Sequence, residues 1–246
     1  MPYENLFWLH IKKSAGVTTR SLLQPHYTEV DRSGWPRNFL QSDPVEYNDI
    51  LNNYRVVLGE LQFRRALFAR RYLYPDSWDK LYSFAFSREP VDRCLSMFYY
   101  LFPRRTGILG SLATLYRGYV DTRKLMFSTS YAFDVFLDFA QRARSSESVY
   151  RPLGLHFTTH TAPMWEDVTD LDGSLLLKQV FRLEHLVEGI NTAFECCGIN
   201  QRVERPGQPL NINRRRGSYT PNPAQRGKIE RIYSRDFDLY ENAWHS

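Results

Sequence analysis

The segment LFWLHIKKSAGVTT, residues 6–19, limits the fold of this chain more than any other stretch. An apolar run from Leu6 to Ile11 stops at two lysines and a Ser-Ala-Gly turn, then passes into Val17, Thr18 and Thr19. That pattern predicts a buried strand over residues 5–11, a tight loop, and a helix from Thr18 to Gln24 that ends before Pro25. A strand apolar on both faces needs helices on both sides of its sheet. The helix start also aims backbone N–H groups, and the positive end of its dipole, at the loop. Gly16 lets the backbone approach a ligand closely, Thr18 and Thr19 add hydroxyl donors, and Lys12 and Lys13 add charge. An ordinary capped turn would account for Gly16 and Thr18 but not for the two lysines, so the loop reads as an anion site suited to phosphate.

Strand and helix signals go on alternating along the chain. A short helix is expected after Asp43 and Pro44, a second strand over 54–58 ending at Gly59-Glu60, and an arginine-rich helix over 63–72. A third strand, 81–86, runs into Ser87-Arg88-Glu89-Pro90, and Pro90 opens a helix to about Leu101. From Ser130 another helix places Phe133, Phe136, Leu137 and Ala140 on one face. A fourth strand is expected over 178–182, a helix from Glu184 to the paired Cys196 and Cys197, and helical structure from Pro223 to Trp244. The polar connection between Pro25 and Pro44 is long enough to act as a lid or substrate loop. Together these signals predict an α/β fold of three layers, αβα, around a central parallel sheet, with the whole chain, 1–246, as a single domain. Function is then expected at the carboxyl ends of the strands.

Aromatic residues make up 15% of the 246-residue chain, which argues for packed layers and against disorder. The net charge of +5 is modest, but the basic residues are clustered, which points to a polyanionic ligand. Cys94, Cys196 and Cys197 offer neither a C-x-x-C pair nor a spaced disulfide framework, so a reducing, cytoplasmic setting is expected. No run approaches a membrane span, and no leader pattern precedes the first strand. His156 and His160 are four apart, but HFTTH lacks the glutamate of H-E-x-x-H, and no metal is implied. His10 is expected to pack or to orient the loop.

A nucleotide loop of the form G-x-x-x-x-G-K-[ST] carries its lysine after the glycines, whereas here the lysines come first. HIKKSAGVTT resembles the HIPKTAGTS loop of sulfotransferases that use 3′-phosphoadenosine 5′-phosphosulfate (PAPS), a family that includes heparan and dermatan sulfate sulfotransferases and bacterial relatives. FSREPVDRCLSMFYYL resembles that family's R-x-P-x-x-R-x-x-S-x-Y-x-Y segment. LGELQF, VFRLEHL and RIYSRDFDLYE are fainter matches. Lys12 stands where the family commonly has proline, and Val17 where it has a hydroxyl residue.

The resemblance implies that residues 12–19, namely Lys12, Lys13, Ser14, Ala15, Gly16, Val17, Thr18 and Thr19, hold the 5′-phosphate. It implies that Lys13 faces the sulfuryl group, and that Arg88 and Ser96 bind the 3′-phosphate; Arg93 is expected to make structural ion pairs or to support the loop. A strand end shifted by one residue would exchange Lys12 and Lys13. Arg216 and Gly217, in an Arg-Arg-Arg-Gly loop, are a candidate clamp on the 3′-phosphate or on an acidic acceptor. Relatives carry a histidine in G-H-x-x-F where this chain has Glu60, which makes Glu60 a candidate general base, with pairing to Arg64 as its structural alternative. Relatives also carry an H-W-x-P-Q segment, which makes His156 a second candidate. The implied reaction moves a sulfuryl group from PAPS to a hydroxyl, favouring a carbohydrate acceptor, and releases adenosine 3′,5′-bisphosphate (PAP). Two rivals remain at this point: a magnesium-dependent small-molecule kinase, and a noncatalytic basic binder of acidic glycans or nucleic acid. The enzyme reading expects a glycan or small-molecule acceptor and no nucleic acid, and leaves the oligomeric state open.

Overall fold

Three parallel strands form one sheet in the order β1-β2-β3: β1 Leu6–Leu9, β2 Tyr82–Ser87 and β3 Gln179–Arg182. The structure, a computed structural model, describes residues 5–26, 61, 63–102, 128–145, 156–204 and 219–244. The expected strand at 54–58, the short helix after Asp43 and nearly all of the connection from 25 to 44 lie outside those residues. In register, Trp8 sits beside Phe84, and Phe86 beside Phe181. Parallel neighbours point to the same side, and the rings of Phe84, Phe86 and Phe181 meet at centroid distances of 5.8–6.0 Å. All the described strand side chains from Leu6 to Leu9 are buried, as a sheet covered on both faces requires.

Helices supply the cover. The helix Leu186–Cys196 crosses the Phe86–Phe181 face at Gly189, where a Cβ would come within 2.8 Å of the Phe181 ring and 2.9 Å of Phe86. Only glycine allows that approach. On the other face Phe7 packs edge-on against Tyr74 and Trp78, at 5.5 and 5.3 Å. The three-layer arrangement therefore follows directly from the alternation of side chains along β1.

Numbered in chain order, the helices are α1 Gly16–Leu23, α2 Arg65–Phe68, α3 Pro90–Leu101, α4 Thr129–Ser145, α5 Met164–Val168, α6 Leu186–Cys196, α7 Pro223–Ile232 and α8 Ser234–Glu241. Residues 156–161 are also helical. The arginine-rich helix expected over 63–72 is only one α turn, continued by a π-helical turn, Ala69–Leu73, in which Tyr74 N–H reaches back to Ala69 O. α3 begins where Pro90 predicts, with the Glu89 carboxylate accepting from the N–H groups of Val91 and Asp92. α7 opens with a capping box between Asn222 and Gln225. The helical stretch after Pro223 breaks at Tyr233, whose buried hydroxyl donates to Thr161 O at 2.9 Å.

A second core, rich in phenylalanine, lies among α3, α4 and α7, with Phe98, Phe133, Phe136 and Tyr233 at its centre. This helical block carries α3 and residues 156–161 to the end of the sheet where β1 and β2 terminate. Trp244 pairs with Phe181 and closes the outer edge of β3: its N–H donates to Val180 O, and its carbonyl accepts from Arg182 N–H. Among the described residues no helix is long and apolar enough to cross a membrane.

Candidate active site

After β1 the chain turns sharply through residues 12–15. Lys13 and Ala15 both have positive φ, 66° and 52°, which costs a side-chain-bearing residue on the order of 1 kcal/mol or more. The surroundings hold them there. Ser14 N–H donates to Ile11 O, and Thr19 N–H to Ala15 O. Arg88 donates from Nη1 to Lys13 O at 3.1 Å, and Arg93 from Nε to Lys12 O at 3.1 Å. The two arginines at the end of β2 and in α3 thus brace the loop at the end of β1. Gly16 is needed as well: a Cβ there would run into the His10 ring, which stacks on Trp8 at 5.4 Å. His10 thereby supports the loop from below, in the orienting role its position suggested.

Arg93 reaches further. Its Nη2 donates to Ala162 O at 2.7 Å and its Nη1 to Asp236 at 3.3 Å, with both side chains buried. Asp236, at the start of α8, also accepts from Met164 N–H and Trp165 N–H at the start of α5. One guanidinium therefore ties the loop, α5 and α8 together, and Arg93 is structural, as its position in the sequence suggested.

The two lysines diverge. Lys13 places its ammonium 4.0 Å from the centroid of the Tyr100 ring on α3. Partial burial, with Arg88 and Arg93 nearby, lowers Lys13 from the usual lysine range to about 8. Lys12 is more deeply enclosed, and burial, Arg65 and Arg20 lower it to about 7, against the pull of Asp167. Asp167 is itself held by Arg65 in a buried two-armed pair, Nε to Oδ1 at 2.8 Å. Lys13 thus stands on the Arg88 side of the loop and Lys12 on the α2–α5 side.

Other candidates are placed differently from one another. Val17 is 54% exposed, at the open start of α1. The first-turn N–H groups, residues 16–18, have no carbonyl behind them within the helix. Ser14 is buried with its hydroxyl toward Met164 Sδ at 4.0 Å, and Thr19 bonds its own hydroxyl to Ala15 O. Both hydroxyls, expected as anion donors, are turned inward because the tight turn points them at the core; Thr18 is half-buried. Arg88 lies 3.7 Å from Asp92, and Ser96 is half-buried further along α3. Glu60, Arg216 and Gly217 lie outside the described residues.

His156 and His160 meet at 4.4 Å, and Tyr100 stacks on His160 at 5.0 Å and meets His156 edge-on at 5.6 Å. His160 Nδ1 lies 2.7 Å from the His156 carbonyl. Only a protonated Nδ1 can make that bond, which puts the lone pair of the neutral ring on Nε2. Sequence reasoning chose His156 and passed over His160 and Tyr100. The signal was present: H-x-x-P fits His160–Pro163, and Tyr100 is the last tyrosine of the α3 motif. Among the described residues no group of three or more His, Cys, Asp or Glu is placed to hold a metal ion.

Burial lowers His160 to about 3 despite its backbone hydrogen bond, with His156, Lys12 and Lys13 adding to the effect. His156 is lowered by burial and Lys12, and His10 well below its usual value by burial and Lys12. These rings are neutral when folded and take up protons when unfolded, so their stabilising contribution is full above about pH 6.5 and is lost as pH falls toward His160's value. The urea midpoint is therefore expected to drop between pH 7 and pH 5, and to drop less in His160→Gln. A level midpoint would mean that the folded protein accepts these protons freely.

A family model described as the sulfotransferase family matches residues 2–242. The chain belongs to the sulfotransferase family. Neither curated proteins nor solved structures give a match. Membership supports sulfuryl transfer as the class of reaction, and the parallel sheet flanked by helices is consistent with an α/β sulfotransferase fold. Around the turn at the end of β1 stand Lys12, Lys13, Arg20, Arg65, Arg88 and Arg93; burial first, and then the repulsion of the neighbouring arginines, lowers the two lysines. An anion would relieve that repulsion.

Proposed function

We propose that this sulfotransferase uses PAPS as donor, transfers its sulfuryl group to an acceptor hydroxyl, favouring a carbohydrate, and releases PAP, with the chain acting as one domain. The observation that supports this most is the cationic surplus around a braced, N–H-rich turn, where Lys13 is held at about 8 by burial and by Arg88 and Arg93. Bound PAPS supplies an activated sulfuryl group on a phosphate leaving group. In such displacements positioning and electrostatic stabilisation dominate.

In this reading the first-turn N–H groups of α1 and Thr18 hold the 5′-phosphate, while Arg88 and Ser96 hold the 3′-phosphate. Arg88 also keeps Lys13 O in place, so one side chain couples the two ends of the nucleotide site. Lys13, on the Arg88 side, neutralises negative charge that develops on the leaving oxygen. Lys12 serves the opposite side, beside His156 and His160. The acceptor's proton goes to Glu60 or to the His156–His160 pair; burial keeps both histidines unprotonated at neutral pH, so either ring has a lone pair to offer. The cysteines are thiols, which suits a reducing compartment such as the cytoplasm.

The test is transfer of sulfur label from PAPS across a panel of carbohydrate, phenolic and lipid alcohols. Labelled product that requires PAPS supports the reading, and transfer from ATP in its place would overturn it. With Lys13 needed in its charged form, kcat/KM is expected to fall as pH rises through about 8. Bound nucleotide stabilises the charged lysine, so the corresponding limb in kcat should lie at higher pH.

A further inference from the structure

We propose that Tyr100 is a positioning residue of the transfer reaction, whose ring holds the Lys13 ammonium at the mouth of the nucleotide loop and ties it to the His156–His160 pair. The proposal rests on the assignment of Lys13 as the lysine that meets the sulfuryl group. Three distances carry it: 4.0 Å from Lys13 Nζ to the Tyr100 ring centroid, 5.0 Å between the stacked rings of Tyr100 and His160, and 5.6 Å between those of Tyr100 and His156. Tyr100 is nonetheless 47% exposed, an unusual state for a ring with so many neighbours and one suited to contact with a ligand.

The geometry answers a physical difficulty. Lys13 leaves the loop from a left-handed backbone position and is partly buried, with Arg88 facing it from the end of β2, Arg93 from α3, His160 from residues 156–161, and Lys12 beside it in the loop. All of these either repel its charge or offer no negative partner. An aromatic face attracts an ammonium through its quadrupole without a formal negative charge. Tyr100 thus keeps Lys13 charged and in place, yet lets it leave for a stronger anion. A carboxylate at that position would hold the lysine too firmly and would repel the donor. The stack on His160 fixes the ring through the same helical segment that carries the two histidines, so the lysine and the proton-accepting side share one reference point.

Tyr100→Leu and Tyr100→Phe separate this role from simple packing. The pKa of Lys13 is read in the free protein from the pH dependence of its acylation, residue by residue, by mass spectrometry. Tyr100→Phe keeps the ring and is expected to leave Lys13 near its wild-type value and turnover within about threefold. Tyr100→Leu removes the ring face and is expected to lower the Lys13 pKa by about half a unit or more. It should also cut kcat about tenfold or more with little change in the Kd of PAP. An unchanged Lys13 pKa in Tyr100→Leu would overturn the proposal whatever the activity. If wild-type protein fails to bind PAP, the proposed donor is wrong, but the lysine titration still decides the role of Tyr100.

Discussion

Replacing Lys13 with alanine is expected to lower turnover about 10²–10³-fold while the affinity for PAP changes by no more than a few-fold. The asymmetry follows from where the charge is needed. PAP already carries its phosphates, which the proposal assigns to the first turn of α1, Arg88 and Ser96; the lysine is assigned to charge that appears only as the bond to the leaving oxygen breaks. Alanine also meets the same backbone cost as lysine at φ 66°, so the substitution removes the ammonium without adding strain to the turn. Single-turnover rates with PAPS and calorimetry with PAP give the two quantities separately. Lys12→Ala is expected to have the smaller effect on turnover, because Lys12 is directed toward Arg65, Asp167 and the histidines. A larger loss in Lys12→Ala than in Lys13→Ala would exchange their roles.

The largest effect on stability is expected at Arg93. Arg93→Met retains much of the side-chain volume but removes donors to Lys12 O, Ala162 O and Asp236, and takes from the buried Asp236 the guanidinium that pairs with it. Removing one partner of a buried ion pair typically costs about 3–5 kcal/mol, and urea unfolding followed by circular dichroism should show a loss of that size. Changing Asp236 to leucine in the same protein should recover only part of it, since Met164 N–H and Trp165 N–H would then lose their acceptor. The loop would lose its brace at Lys12 O as well, so PAP binding should weaken in whatever fraction stays folded. A loss below about 1 kcal/mol would show that α5, α8 and the loop hold together without this residue.

Local signals made three of the four expected strands, the loop and α3 legible. The apolar run before Lys12, the Pro90 helix start and the spacing of Phe133, Phe136 and Leu137 each act within a few residues, and the structure has β1, α3 and α4 where they point. What escaped the sequence depends on distant partners. Arg93 and Asp236 are 143 positions apart, and nothing local marks Asp236 as the acceptor for the start of α5. The break at Tyr233 arises because its hydroxyl is drawn to Thr161 O and its ring to the second core. His160 was passed over because four-residue spacing drew attention to a metal motif, whereas its role depends on a ring from α3. Ser14 and Thr19 look like donors in sequence, and only the left-handed turn shows their hydroxyls facing inward.

The central claim is that the site holds a nucleotide by both phosphates, with the loop after β1 at one end and Arg88 and Ser96 at the other. Calorimetric titration of the wild-type protein with PAP, AMP and ATP tests it most directly. A charge-assisted contact contributes about 1.5–3 kcal/mol, so PAP is expected to bind at least about tenfold more tightly than AMP without added metal, and Arg88→Ala should remove most of that difference. Equal affinities for PAP and AMP, or a preference for ATP that requires magnesium, would contradict the account.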